Sequence, residues 1–397
     1  VNSRSLHPGY SPTFYLAFLA CFLFFGSTQL LIAPMPLYVE KIGGGPVEVG
    51  LVGSAFAVSA IIIRPFMGRL ADRRGRKITL IIGTAVFTLA PLFYVISRTV
   101  STLVVARLFN GIGIAAFTTA YFALVADLTP PARWGQALGL AGIAAPIATI
   151  VASPLGASMI GAFGYPIIFL TASTIALGSL AITLLIKEPG RQVESLPIDG
   201  SAPTGFLHLL RLRGVLVPSL SSLTMGLSYG AIYTFLPLFA RDRGLGNVGF
   251  FFTVWSVLLV FSRSLAGRLS DRIGRLPVIL PLLGILALGL IGLNWTYSFG
   301  WLMVMALLQG LGFGGVRVGL DTTVVEAAPA SLRGTALSLD YLCFDTGIGI
   351  GGIVVGLLAG WVGFGEVFLL IGVLCLSTLV GFGLAMRNYT VGVATDS

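Results

Sequence analysis

Three carboxylates stand where a carboxylate is costly to keep. Asp321, Asp340 and Asp345 fall well inside long apolar runs, all in the second half of the chain. Arg64, Arg107, Arg263 and Arg317 share that situation. An ionisable group in such surroundings needs water, a partner or a cavity, and burial makes protonation of a carboxylate switchable. The chemistry open to these residues is proton uptake and release, tied to making and breaking ion pairs. Arg317 and Asp321 are four residues apart and share a helix face. Counting from the short loop between their runs puts Asp321 level with Asp340, and Arg317 near Asp345. The proton-coupling candidates are therefore Asp321, Asp340, Asp345, Arg317 and Arg107. A permanent buried salt bridge fixing the hairpin is the alternative. Asp345, beside Gly347, Gly349, Gly351 and Gly352, also suits a packing anchor. Other chemistries lack their residues. Cys21, Cys343 and Cys375 lie in apolar runs without CxxC or Cys/His spacing, so no metal site is expected. There is no nucleophile motif or phosphate loop, so neither an enzyme nor a cofactor is expected.

The elements that must carry these residues follow from composition. The chain is 56% hydrophobic and only 10% charged, where a soluble domain carries about 25% charged residues. Lipid must solvate it. Twelve apolar runs are each long enough to cross a ~30 Å hydrocarbon core. They are continuously apolar instead of alternating, which argues against a β-barrel. The first, over about residues 13–39, is too long for a signal-peptide core and reads as the first helix. Lys and Arg set the orientation. Sixteen of the 24 fall in the terminal segments and loops on the side of the N-terminus, against Lys41, Arg98, Arg241 and Arg243 on the other. Both termini are expected in the cytoplasm. The net charge of +9 then reflects topology and anionic headgroups, not nucleic-acid binding.

The chain also repeats itself. A shift of 199 positions lays Arg64 on Arg263, Gly68 on Gly267, Asp72 on Asp271, Gly111 on Gly310, Gly113 on Gly312 and Asp127 on Glu326. Gly161, Gly164 and Phe169 fall on Gly360, Gly363 and Phe368. This is a 6+6 duplication, an arrangement common in secondary transporters with a site between the halves. The expected division is a six-helix bundle over 1–186, a cytoplasmic linker rich in Pro and Gly over 187–213, and a second six-helix bundle over 214–397. The stretch from Gly205 to Gly214 is compatible with a short interfacial helix.

Between the second and third runs stands Gly68-Arg-Leu-Ala-Asp72-Arg-Arg-Gly75-Arg76-Lys77, copied after the eighth as Gly267-Arg-Leu-Ser-Asp271-Arg-Ile-Gly274-Arg275. A solvated basic loop accounts for the arginines, but not for Gly68, Asp72 and Gly75 at fixed spacing in both halves. Gly75 permits a positive-φ turn. The two copies resemble the signature loop of the major facilitator superfamily, and the resemblance covers essentially the whole chain. It implies an all-α membrane protein with twelve transmembrane helices in two pseudo-symmetric bundles, monomeric and multi-pass in the inner membrane. It further implies a cytoplasmic latch made of Gly68, Asp72, Gly75, Arg76 and Asp127, with Gly267, Asp271, Arg275 and Glu326 as the second copy. In that latch Arg76 pairs with Asp127 and Arg275 with Glu326. In the outward-facing state Asp72 sits at the start of the eleventh helix, near Arg333-Gly334.

Two further patterns bear on coupling. Arg107-Leu-Phe-Asn110-Gly111-Ile-Gly113 resembles the fourth-helix motif of proton-coupled members, with Asn110 where Gln is usual. Arg107, Ile114, Thr118 and Tyr121 follow one helix face, although Arg107 also suits a strut to neighbouring helices. Gly139, Gly142, Pro146, Pro154 and Gly156 are similar to the Gly/Pro-rich fifth helix of antiporters, without its usual Gly-Pro and Gly-Gly order. The resemblance assigns the cavity to helices 1, 4, 7 and 10. The candidates are Phe25, Gln29, Asn110, Thr118, Tyr121, Met225, Tyr229, Tyr233 and Phe313. An apolar pocket with few polar groups suits amphipathic organic molecules. The reading is a proton-driven exporter of such compounds, resembling the drug:proton antiporter branch. A symporter or uniporter importing a small organic solute is the runner-up, and a transport-inactive membrane sensor is the alternative of another class.

Overall fold

The computed structural model describes residues 10–130, 133–188, 209–329 and 332–393. Most of the expected linker lies outside them, as do residues 205–208 of its proposed interfacial helix; the rest of that stretch, 209–214, turns at 210–211 and joins the next long helix at Arg213. Among the described residues, twelve helices are long and apolar enough to cross a membrane. They are α1 (Pro12–Lys41), α2 (Pro46–Arg74), α3 (Arg76–Ile96), α4 (Val100–Asp127), α5 (Trp134–Phe163), α6 (Tyr165–Leu185), α7 (Arg213–Asp242), α8 (Gly249–Ile273), α9 (Leu276–Leu293), α10 (Phe299–Ala327), α11 (Arg333–Val362) and α12 (Phe364–Val393). The exposed surface is rich in large apolar side chains such as Ile62, Leu185, Trp361 and Leu384. Helices satisfy their own backbone hydrogen bonds, so such a face can meet hydrocarbon.

The first helix departs from the continuous run read in the sequence. It breaks over Leu31–Ala33, between Leu30 and a new turn starting at Pro34. Pro34 has no N–H to give and its ring crowds the preceding turn. The break lies beside α5, where Gly156 packs directly on the carbonyl of Leu30.

The repeat is visible in the joints. Thr99 caps α4 by accepting the Thr102 N–H at 3.3 Å, and Ser298 caps α10 by accepting the Trp301 N–H at 3.2 Å. Gly75 and Gly274 turn the chain at φ 106° and 91°, a region that glycine enters without strain. Gly111 lies against the backbone of Phe56 and Gly310 against that of Trp255, so α2–α4 and α8–α10 are matched contacts at the 199-residue offset. Small residues let such helices approach backbone to backbone.

The two halves meet through α2 with α11 and α5 with α8, toward the end opposite the basic loops. Gly50 and Gly352 touch backbone to backbone, and Gly356 lies on Pro46 and Val47. The Ser54 hydroxyl donates to the Gly349 carbonyl at 2.7 Å. Gly249 packs on Ser153 and Pro154, and Asn247 donates to the Pro154 carbonyl at 3.1 Å. Arg241 and Glu40 join the halves at the rim by an ion pair. Toward the basic end the contacts thin out. Gly139 and Gly142 on α5 and Gly334 on α11 all face open space.

Candidate functional site

Arg317 is the centre of the charged cluster. It lies in the middle of α10 with only 6% of its side chain exposed. One guanidinium nitrogen sits 2.9 Å from Asp321 and 2.7 Å from Asp340, and another donates to the Ser222 hydroxyl at 3.1 Å. Ser222, on α7, in turn donates to Asp340 at 2.6 Å. The guanidinium also lies over the rings of Tyr341 and Phe344, at 4.3 and 5.0 Å. Asp340 is wholly buried, while Asp321 borders a recess of about 280 Å³ with Thr322, Val325, Leu337 and Tyr341. A single cation therefore serves two carboxylates.

Residue counting put Arg317 near Asp345, but the two form no ion pair among the described residues. Asp345 pairs with Arg64 on α2, 3.2 Å away in the other half of the protein. Counting yields depth but not direction. Asp340 and Asp345 are five residues apart, roughly 140° around a helix, so one faces α10 and the other faces α2.

Phe344, against Arg317, joins the cluster to a packed group of aromatic rings. Tyr229 and Tyr233 stack at 4.1 Å on α7, with Trp255 5.5 and 5.1 Å away and Phe313 and Phe344 5.6 and 5.8 Å from Tyr229. Phe252 closes on Tyr233 at 5.0 Å. The sequence pointed to Tyr229, Tyr233 and Phe313. It missed Trp255, Phe252 and Phe344, although Trp255 is a mid-helix tryptophan and so stood out by type. Gln29 donates to the Thr149 hydroxyl on α5.

Other candidates fall elsewhere. Tyr121 is buried in the core of the first half, its hydroxyl donating to the Ala141 carbonyl at 3.2 Å. Met225 is buried in the same cluster as Phe252, Trp255 and Phe313. Phe25 and Thr118 are half-buried, and Thr118 donates to the Ile114 carbonyl at 2.7 Å. Arg107 lies over Phe56 at 4.7 Å, and reaches the Val52 carbonyl and the Asn110 side chain at 3.4 Å each. It borders a cavity of about 10 Å³ with Ser27, Tyr94 and Asn110. That geometry is a strut between α4 and α2.

At the basic end, Arg76 bridges Asp72 at 2.6 Å and Asp127 at 3.1 Å, and Arg275 bridges Asp271 at 2.7 Å and Glu326 at 2.6 Å. Gly68 faces Thr119 on α4 and Gly267 faces Val318 on α10. Asp72 is 65% exposed and engaged by Arg76, while Gly334 at the start of α11 has open space beside it. Glu188, which no sequence pattern singled out, accepts the Arg76 backbone N–H at 2.6 Å and so caps α3. An acid there is favoured by the helix dipole.

Comparison with known proteins follows this geometry. A family model described as Major Facilitator Superfamily matches residues 17–259 and 219–393. The multidrug resistance protein MdtG of Enterobacter lignolyticus is 26% identical over 94% of this chain and 92% of its own. The staphylopine export protein of Staphylococcus aureus is 24% identical over 92% of this chain and 94% of its own. Among solved structures, a bacterial homolog of the human lysosomal transporter Spinster, in an inward-facing and unoccupied conformation, superposes with a TM-score of 0.78 at 14% identity, covering 96% of this chain and 98% of that one.

Proposed function

The chain belongs to the Major Facilitator Superfamily, and from that premise we propose that it is a proton-coupled exporter of small amphipathic organic compounds working by alternating access in the inner membrane. The observation that carries the coupling is Arg317 held between Asp321 and Asp340 inside a membrane-spanning helix. Two carboxylates on one guanidinium hold one charge too many for a low-dielectric wall. A proton taken up by either neutralises the cluster. Substrate or a change of state then exchanges with that proton.

Orientation follows from the basic loops. With that end and both termini in the cytoplasm, the packed end of α2, α5, α8 and α11 faces outward and this state is inward-facing. The Arg76 and Arg275 clusters are the two copies of the latch. The aromatic group beside the cluster supports an amphipathic substrate, since rings with polar tips offer apolar area and hydrogen bonds together. Export is supported by the relatives named for multidrug resistance and for staphylopine export.

The test is accumulation in proteoliposomes with an acid interior. The probes are rhodamine 6G (a cation), rhodamine B (a zwitterion) and fluorescein (an anion). An antiporter accumulates its probe inside as protons leave, a symporter expels it, and a uniporter ignores the gradient. Expulsion, or indifference for every probe, contradicts the proposal.

A further inference from the structure

Two of the intramembrane arginines have carboxylate partners: Arg64 has Asp345, and Arg317 has Asp321 and Asp340. Arg107 is held differently. It stands seven residues into α4, about 10 Å of helix. Its hydrogen bonds among the described residues go to the Val52 carbonyl and the Asn110 side-chain oxygen, each at 3.4 Å. Both are longer than the usual range of about 2.7–3.2 Å, and neither acceptor is charged. A guanidinium left without a counter-charge inside a membrane protein is costly. The small cavity that Arg107 borders lies between three helices. Ser27 and Thr28 come from α1, Tyr94 from α3, and Arg107 and Asn110 from α4; the remaining walls are apolar, and none of the described residues lining it is a carboxylate. The hydroxyls of Thr28 and Tyr94 are buried with no hydrogen-bond partner among the described residues. Asn110 is 4% exposed and accepts from Arg107, which leaves its amide N–H groups to donate.

We propose that this cavity binds a single halide ion, such as chloride, on Arg107, Asn110, Tyr94 and the hydroxyls of Ser27 and Thr28. Every polar side chain at the cavity can donate: the guanidinium and the amide through N–H groups, the hydroxyls by turning their hydrogen inward. A water molecule satisfies the hydroxyls but leaves the charge of Arg107 unanswered. An anion does both, and hydrogen bonds to an ionised acceptor are the stronger kind. Size narrows the class. A cavity of about 10 Å³ holds one water-sized species, which admits a halide and turns away carboxylates and other organic anions. The internal repeat shows that the fold does not require these polar groups. At the 199-residue offset Arg107 corresponds to Ala306 and Tyr94 to Leu293, both wholly buried apolar residues. The second half thus fills with hydrocarbon the place where the first half gathers donors. Leu31, at which α1 breaks, is also a wall of the cavity, so the bound ion ties the joint of α1 to α3 and α4.

The test is thermal unfolding of the purified full-length protein at fixed ionic strength, with sodium gluconate replaced stepwise by sodium chloride or sodium bromide. A ligand of the folded state raises Tm with its concentration. The expected result is a saturable rise in Tm with either halide. Arg107→Gln abolishes that rise. Tyr94→Phe and Thr28→Val each remove one donor with little change of shape, and each raises the half-saturating chloride concentration about tenfold, the worth of one hydrogen bond to a charged group. These two variants decide the matter alone if Arg107→Gln does not fold. A Tm that is the same in halide and gluconate makes the cavity a water site and overturns the inference. So does a halide response that survives Arg107→Gln undiminished, or one whose half-saturation is unchanged in both Tyr94→Phe and Thr28→Val.

Discussion

Gly356 provides a graded wedge for the packed end of the transporter. A Cβ built there stands 2.6 Å from the Pro46 carbonyl oxygen, and 3.2 Å from the Pro46 carbonyl carbon and the Val47 Cα. All three are backbone atoms of the opposite half, so no rotamer change relieves the overlap. Overpacking of this kind costs about 1–3 kcal/mol. The cost falls only on the state in which α2 and α11 touch there. Alanine also favours the helix over glycine, but it does so in both states and cancels. The Gly356→Ala change therefore shifts the equilibrium between states roughly 5- to 150-fold toward separation of that end. Gly360, one turn further along, has open space beside it, and Gly360→Ala is the control. The assay is electron–electron distance measurement between spin labels at Ile96→Cys and Trp361→Cys, in a background without Cys21, Cys343 and Cys375. Both label sites are exposed and lie at the packed end, one in each half. The expected result is a longer-distance population in Gly356→Ala, larger in Gly356→Val and absent in Gly360→Ala. Unchanged distributions in both Gly356 variants refute the reasoning.

Other expectations follow from the ion pairs. Arg64→Ala and Asp345→Asn each break the bridge between α2 and α11, so the same labels report separation, and the double variant shows less than the sum of the two. Removing Arg317 strands two carboxylates, one of them wholly buried. Arg317→Met is expected to cost about 3–5 kcal/mol, read as a large fall in Tm that a second change, Asp340→Asn, partly restores. Arg76 is more enclosed than Arg275, with 11% against 24% of its side chain exposed. Arg76→Ala should therefore lower Tm more than Arg275→Ala, whose exposed partners contribute under about 1 kcal/mol.

Much of the architecture was legible because lipid constrains sequence strongly. Each span needs its own continuous apolar run, and a 199-residue repeat survives in caps, turn glycines and close helix contacts such as Gly111–Phe56 and Gly310–Trp255. The break at Leu31–Ala33 was not read, although Pro34 and Pro36 stood in the run; hydropathy averages over a kink. Within the site, the Arg317–Asp321 spacing was visible as one turn of one helix. The partners that come from other helices were not. Arg64 with Asp345 and Ser222 with Asp340 depend on which faces meet after packing. Tyr121 shows the converse: its type suited a cavity, but packing against α5 ties its hydroxyl to the Ala141 carbonyl.

The most direct test of proton coupling at the arginine–aspartate cluster is dye accumulation in acid-loaded proteoliposomes carrying Asp321→Asn, Asp340→Asn or Asp345→Asn. The probe is whichever rhodamine the native protein accumulates. Loss of pH-driven accumulation with downhill flux retained, in Asp321→Asn or Asp340→Asn, is the predicted result. Accumulation at the native level in all three variants contradicts the account.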